Sequence, residues 1–155
     1  MSGIGQLNES LAIVERFYWH LDEGQFAQMD ALMTRDGLYY GPDDKPVSAG
    51  SGLVADMTRR LDVRRSTMAH VLSNLFVDPD SIDSASVELT VRGFMTVYVH
   101  DAGLKPAGGE AGTREGPAPL SAPRNIWALD IRLRHGSDGW LISRVRNSMR
   151  FKAPA

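Results

Sequence analysis

A chain of 155 residues, 43% hydrophobic and 23% charged, is long enough to bury one sizeable core and has the balance of a soluble globular protein. Its formal net charge of -2 gives no basic footprint for nucleic acid or for an anionic membrane surface. The absence of cysteine excludes disulfides, thiol nucleophiles and thiolate-held zinc or iron–sulfur centres.

Met1 to Gln6 has neither a basic region nor an apolar stretch, and no run approaches the roughly 20 apolar residues of a spanning helix, so a cytoplasmic protein is expected. From Leu7, apolar residues recur at Leu11, Val14, Tyr18 and Leu21, with Ile13 and Phe17 widening the stripe. That spacing predicts an amphipathic helix, and Gly24 supplies its stop. Phe26, Met29, Leu32 and Met33 mark a short second helix. Gly37 then opens a short strand, Leu38-Tyr39-Tyr40, closed by Gly41-Pro42-Asp43-Asp44. A third helix is predicted after Ser51 as N-cap, with Leu53, Met57 and Leu61 on one side and Arg59 and Arg60 in its last turn.

After Arg65 the period changes to two, with strands expected near Thr67–Val77, Ala85–His100, Arg124–Arg134 and Gly139–Met149. Val87, Leu89, Val91, Met95, Val97 and Val99 alternate with polar residues, as in a half-buried antiparallel strand. Gly93 interrupts that run and predicts a bulge or bend that curls the sheet. Residues 102–123, rich in Gly, Pro and Ala, read as a long flexible loop. The final strand is expected to carry Trp140, Ile142, Arg144 and Arg146 on one face; the two arginines could hold an anionic ligand, but the favoured reading puts them on the outer sheet face, pairing across a dimer interface or with Asp130. No internal repeat or domain boundary is evident, so residues 1–155 are expected to form one α+β domain with a core over about 7–149.

The stretch from Ser66 to Val77, S-T-M-A-H-V-L-S-N-L-F-V, places His70, Leu72, Asn74 and Phe76 on one strand face if the alternation is unbroken. A histidine and an amide on an apolar inner face point to a pocket, because imidazole alone among common side chains changes charge near neutral pH unaided. Candidate partners are Asp22 at the end of the first helix, Trp19, and one of Tyr39 and Tyr40, which alternate and so present at most one phenol inward. Arg124, Asn125 and Trp127 follow the long loop and are candidates for the pocket border. The four histidines, His20, His70, His100 and His135, are scattered without metal-ligand spacing, so no metal is expected. Gly108-Gly109-Glu110-Ala111-Gly112 lacks the Lys-Ser/Thr ending of a phosphate loop, and no Gly-x-Ser-x-Gly elbow occurs.

The order of elements resembles the nuclear transport factor 2-like superfamily, specifically its SnoaL-like branch, over roughly Leu7 to Met149. The resemblance rests on the first helix, Asp36-Gly37-Leu38-Tyr39-Tyr40, Ala69-His70-Val71-Leu72-Ser73-Asn74 and Asp138-Gly139-Trp140-Leu141-Ile142. It implies a cone-shaped α+β barrel, three N-terminal helices on a strongly curved, mostly antiparallel sheet, with an apolar pocket at the mouth and a homodimer through the outer sheet face. The branch includes scytalone dehydratase-like enzymes, polyketide cyclases and ring-hydroxylating dioxygenase small subunits. In the dehydratases this resembles, a histidine at the His70 position is an acid/base beside a carboxylate on the first helix. Counting back from Phe26 sets Trp19 at that carboxylate position, with His20 and Asp22 as neighbours, and Asp22 takes the role if the helix register differs. The second catalytic histidine of those enzymes falls near Val97.

The expected function is therefore cofactor-free acid/base chemistry on a hydrophobic carbonyl compound, as a dehydratase, cyclase or isomerase. His70, Asp22 and Tyr40 are the expected catalytic residues, and Trp19, Tyr39, Leu72, Asn74 and Trp127 the substrate-binding ones. The alternative is a non-catalytic ligand-binding protein or the small structural subunit of a ring-hydroxylating oxygenase. Neither nucleic acid nor membrane is an expected partner.

Overall fold

A computed structural model describes residues 3–64, 66–82, 87–101 and 122–153. The expected loop over 102–123 lies outside them except for its last two residues. The described residues form α1 (Gly3–Asp22), α2 (Phe26–Asp30), β1 (Met33–Tyr40), β2 (Pro46–Ser48), α3 (Ser51–Arg64), β3 (Ser66–Val77), a 3₁₀ turn (Pro79–Ser81), β4 (Glu88–Asp101), β5 (Asn125–Gly136), β6 (Gly139–Arg146) and β7 (Ser148–Lys152). No helix among them is long and apolar enough to cross a membrane.

The strands build one sheet in the order β2-β1-β6-β5-β4-β3. Every pairing is antiparallel except β1 with β6, where Leu38 lies opposite Arg144. β5 gives one edge to β4 and divides the other between β6, over Ile131–Gly136, and β7, over Asn125–Ala128. The chain therefore turns a corner at Asn147, between β6 and β7. The result is an α+β fold with its helices against a curved, mostly antiparallel sheet that stays open at β2 and β3.

The core forms where the helix stripe meets the inner sheet face. Val14, Phe17 and Tyr18 of α1 are buried against strand residues such as Val91, Ile131, Leu133 and Ile142. Each fully buried large apolar side chain is worth roughly 1.5–3 kcal/mol, so this stripe outweighs the exposed ion pairs elsewhere. α1 stops where expected: Gly24 takes φ +67°, and the N–H of Gln25 returns to the His20 carbonyl at 2.8 Å.

Three expectations change at the level of single elements. The second helix ends at Asp30, Leu32 lies in the turn that follows, where its carbonyl accepts from the Ile142 N–H at 2.8 Å, and Met33 opens β1. α3 runs on to Arg64, so Arg59 and Arg60 sit before its last turn and bind Asp56 one turn earlier. In β6 two residues, Ser143 and Arg144, are spanned where β5 passes from Leu133 to Arg132. This bulge keeps Trp140 and Ile142 inward, then brings Val145 inward and turns Arg144 outward, where it binds Asp130 at 2.9 Å.

The bulge that matters most for the site lies in β3. Ser73 pairs with Phe94 and Phe76 with Arg92, so β3 holds one extra residue opposite Gly93. Asn74 takes φ +52° there. A Cβ on Gly93 would stand 3.0 Å from the Ser73 carbonyl oxygen and 3.2 Å from that of Asn74. The glycine anticipated as a bend is thus the space into which the partner strand bulges.

Candidate active site

A cavity of about 680 Å³ opens between the helices and the inner sheet face. Its apolar wall includes Phe26, Met57, Met95, Val97 and Trp127, contributed by α2, α3, β4 and β5. Polar groups enter from the C-terminal end of α1, from β3 and from the corner at Asn147. An apolar chamber with a few convergent polar groups suits a small, largely hydrophobic ligand.

The central polar feature joins α1 to β3. The His70 backbone N–H donates to one Asp22 carboxylate oxygen at 2.8 Å, and the ring Nδ1 is in short contact with the other. The imidazole is nearly buried and the carboxylate about one-fifth exposed. Asp22 is the last residue of its helix, where the dipole disfavours negative charge. The two donors of His70 offset that penalty and fix the carboxylate's position. In return, Asp22 sets the tautomer, with Nδ1 carrying the proton and Nε2 basic.

Tyr18, one helical turn before Asp22, packs its ring 5.6 Å from the His70 ring. Its hydroxyl accepts a 2.8 Å hydrogen bond from the Asn147 amide. Burial pushes the Tyr18 phenol far above its ordinary value, neighbouring Tyr39 and Asp22 add to the rise, and the Asn147 hydrogen bond only partly opposes it. Tyr18 therefore stays neutral behind the histidine. Tyr18 and Asn147 were missed in the sequence. The spacing of Tyr18 four residues before Asp22, on the same helical face, is the signal that could have found the first.

The fold has known relatives. A model of the SnoaL-like domain matches residues 9–146. The chain belongs to the SnoaL-like family. Among solved structures, ActVI-ORFA from Streptomyces coelicolor is 16% identical with a TM-score of 0.69, covering 92% of this chain and 95% of that one. A Catenulispora acidiphila protein solved in complex with S-DNPA is 19% identical, TM-score 0.66, covering 92% and 91%. An NTF2-like protein with a cystatin-like fold from Novosphingobium aromaticivorans is 16% identical, TM-score 0.63, covering 89% and 77%. At such identities the likeness establishes the fold. No curated protein matches the chain.

In this SnoaL-like chain several expected site residues are placed differently. Trp19, expected at the carboxylate position, is 64% exposed and does not border the cavity. Three residues further along α1, a turn of about 300° brings Asp22 to the inner side instead. The count back from Phe26 missed this because the chain reverses through Gly24 and Gln25. Leu72 packs on the core from β3 but does not line the cavity. Asn74 is removed from the face of His70 by the β3 bulge and is exposed, and Phe76 beyond it is 48% exposed.

Tyr39 and Tyr40 both border the cavity, contrary to the expected choice of one, because it reaches around the end of β1 to Gly41 and Pro42. They are not equivalent. Tyr39 packs on the core beside Phe17, with ring centroids 6.4 Å apart. Tyr40 has its ring under the Arg146 guanidinium, 5.2 Å from the centroid, which turns it towards the outer side. Trp127 is buried in the cavity wall, and Asn125 and Arg124 border it. Val97 stands on the wall from β4. Among the described residues, no group of three or more His, Asp or Glu side chains is gathered for a metal ion.

Proposed function

We propose that this SnoaL-like protein is an enzyme that moves protons on a hydrophobic carbonyl compound, with His70 as acid/base and Asp22 as its positioning partner. The observation that carries this reading is the His70–Asp22 contact in the wall of an apolar cavity. With Nδ1 held by the carboxylate, Nε2 accepts a proton from the carbon beside the ligand's carbonyl, and the carbon–hydrogen bonding pair becomes the enolate. The imidazolium so formed is stabilised by the Asp22 charge. Returning the proton to a leaving β-hydroxyl completes a dehydration, and returning it to another carbon completes an isomerisation. Tyr39, on the inner side of β1, is the phenol assigned to the ligand oxygen, in place of Tyr40. These steps need proton transfers alone and no cofactor.

General acid/base help of this kind is worth about 10²–10⁴-fold. The test is deuterium incorporation beside the carbonyl of 2-tetralone in D₂O, followed by proton NMR. The wild-type protein is expected to accelerate exchange, and His70→Ala to lose about 10²–10⁴-fold of it while keeping its circular dichroism spectrum. Exchange by the wild type no faster than by a correctly folded His70→Ala protein would refute the reading.

A further inference from the structure

The corner at Asn147 leaves an opening in the sheet. β7 covers the edge of β5 up to Ala128 and β6 covers it from Ile131, so neither strand bridges Leu129 and Asp130. A second cleft of about 410 Å³ lies at that gap. It touches Trp127, which belongs to the inner sheet face, and Asp130, which belongs to the outer, so it passes through the sheet. Trp127, Asn147 and Met149 line both the cleft and the chamber of His70. The two spaces are therefore one side chain apart. Met149, unbranched and 43% exposed, is the part of that wall free to move.

The cleft differs in chemistry from the chamber. The residues that it does not share with the chamber are Asp44, Asp130, Arg146 and Ser148, all of them polar. Their charges are already matched. Both Asp44 oxygens accept from Arg146, at 3.1 Å from Nε and 2.8 Å from Nη2, while Asp130 accepts from Arg144 at 2.9 Å. The Arg146 guanidinium also lies over the Tyr40 ring, which braces it. A charged ligand group would have to displace one of these partners and would gain little. Neutral donors and acceptors displace nothing. Each carboxylate keeps lone pairs to offer, Arg146 keeps donors not spent on Asp44, and Ser148 adds a hydroxyl that both donates and accepts. A group bearing several hydroxyls on a compact frame matches that set.

We propose that this gap is a second opening of the chamber and a subsite for a neutral, polyhydroxylated group of sugar-like chemistry. The ligand then has two parts, an apolar body in the chamber beside His70 and a sugar-like appendage that passes Met149 into the cleft. The inference deepens the reading of the His70 cavity and rests on it for the seat of the apolar body, but it concerns binding and not proton transfer. The ion pairs of the cleft act as fixed hydrogen-bonding walls, and they bias it against anionic and cationic appendages alike.

The test compares 2-naphthyl β-D-glucoside, the anionic 2-naphthyl β-D-glucuronide and 2-naphthol by isothermal titration calorimetry. A few added neutral hydrogen bonds predict that wild type binds the glucoside roughly 10-fold more tightly than either 2-naphthol or the glucuronide. Ser148 is exposed on β7, so Ser148→Trp fills the cleft without touching the core. It is expected to abolish the advantage of the glucoside and leave 2-naphthol binding unchanged. Ser148→Phe is a smaller plug, read in its place if the circular dichroism of the first departs from wild type. Ser148→Ala, with the cleft still open, is expected to keep glucoside affinity within about 3-fold. A glucoside bound no more tightly than 2-naphthol by wild type, a glucuronide bound as well as the glucoside, or plugged proteins that keep the glucoside's advantage would each overturn the proposal. Failure of deuterium exchange with an intact glucoside preference would remove the His70 chemistry and leave this subsite standing.

Discussion

Asp22 stands at the negative end of α1 and is held there by a backbone N–H and an imidazole from β3. Behind that pair, Tyr18 and Asn147 form a second buried contact, between a phenol that does not ionise and an amide. Removing the hydroxyl leaves the amide donor with no partner in a place water reaches poorly, and such a loss costs about 1–3 kcal/mol. Tyr18→Phe is accordingly expected to lower the urea-unfolding free energy by that amount, read as a shift in midpoint at constant m-value. A midpoint equal to wild type would mean that the contact does not bear on stability. His70 was legible as a candidate because it interrupts an apolar face. Its carboxylate partner was legible only as one of three neighbours, since a helix of known period still needs an anchor to say which side is inward. Trp19, large and aromatic, drew attention to the wrong side.

At the scale of elements, alternation fails wherever a strand holds an extra residue. β4 alternates cleanly, with Leu89, Val91, Met95 and Val97 buried, and its sequence showed as much. β3 does not: the residue inserted opposite Gly93 separates Asn74 from His70, although the spacing of two had joined them. The same happens at Ser143, which reverses the faces of Val145 and Arg144. Nothing in the composition of the bulged strand itself marks the insertion, because a bulge is a property of a pair of strands and not of one. β2 was missed for a related reason, its three residues being too few to show a period. The glycine opposite a bulge is the residue that betrays it. Gly93→Val is expected to destabilise by about 1–3 kcal/mol, since its Cβ would press on two carbonyl oxygens and its branches demand more room. Chemical denaturation measures this directly, and a neutral Gly93→Val would show that the bulge relaxes freely.

Over the whole molecule, the outer sheet face and its turns are tied by charge. Arg134 holds the Asp36 carboxyl below its ordinary value, and Arg92 does the same for Asp78. At Asp56 burial pulls upward, but Arg59 and Arg60 outweigh it and the net direction is down. A carboxyl whose folded value is depressed adds stability above its unfolded value, near 3.9, and loses it as pH falls through the lower folded value. The melting temperature is therefore expected to hold from neutrality to about pH 5 and to fall below about pH 4. Asp78→Asn should melt below wild type at pH 7 and approach it at low pH, and a difference independent of pH would exclude this linkage. The gross architecture was readable at this scale because it depends on the order of helices and strands, which the change of period announces. The cavity's polar rim was readable only at Arg124 and Asn125, because Arg60 and Asn147 come from distant segments that only the closed fold brings to one chamber.

The parallel seam between β1 and β6 has a consequence for how the chamber is born. Leu38 meets Arg144 only after β2, α3, β3, β4 and β5 have been made, and no hairpin can bring them together. Loop closure over such a span is paid before its contacts repay it, and topologies of this kind fold slowly. The helices and Tyr39 leave the ribosome before β3, β4 and β5, yet the strand that seats β1 follows all three. Until then the apolar inner face is uncovered. For this protein the interval of greatest exposure to aggregation is the wait between β1 and β6, when the strand that must seat β1 has not yet been made.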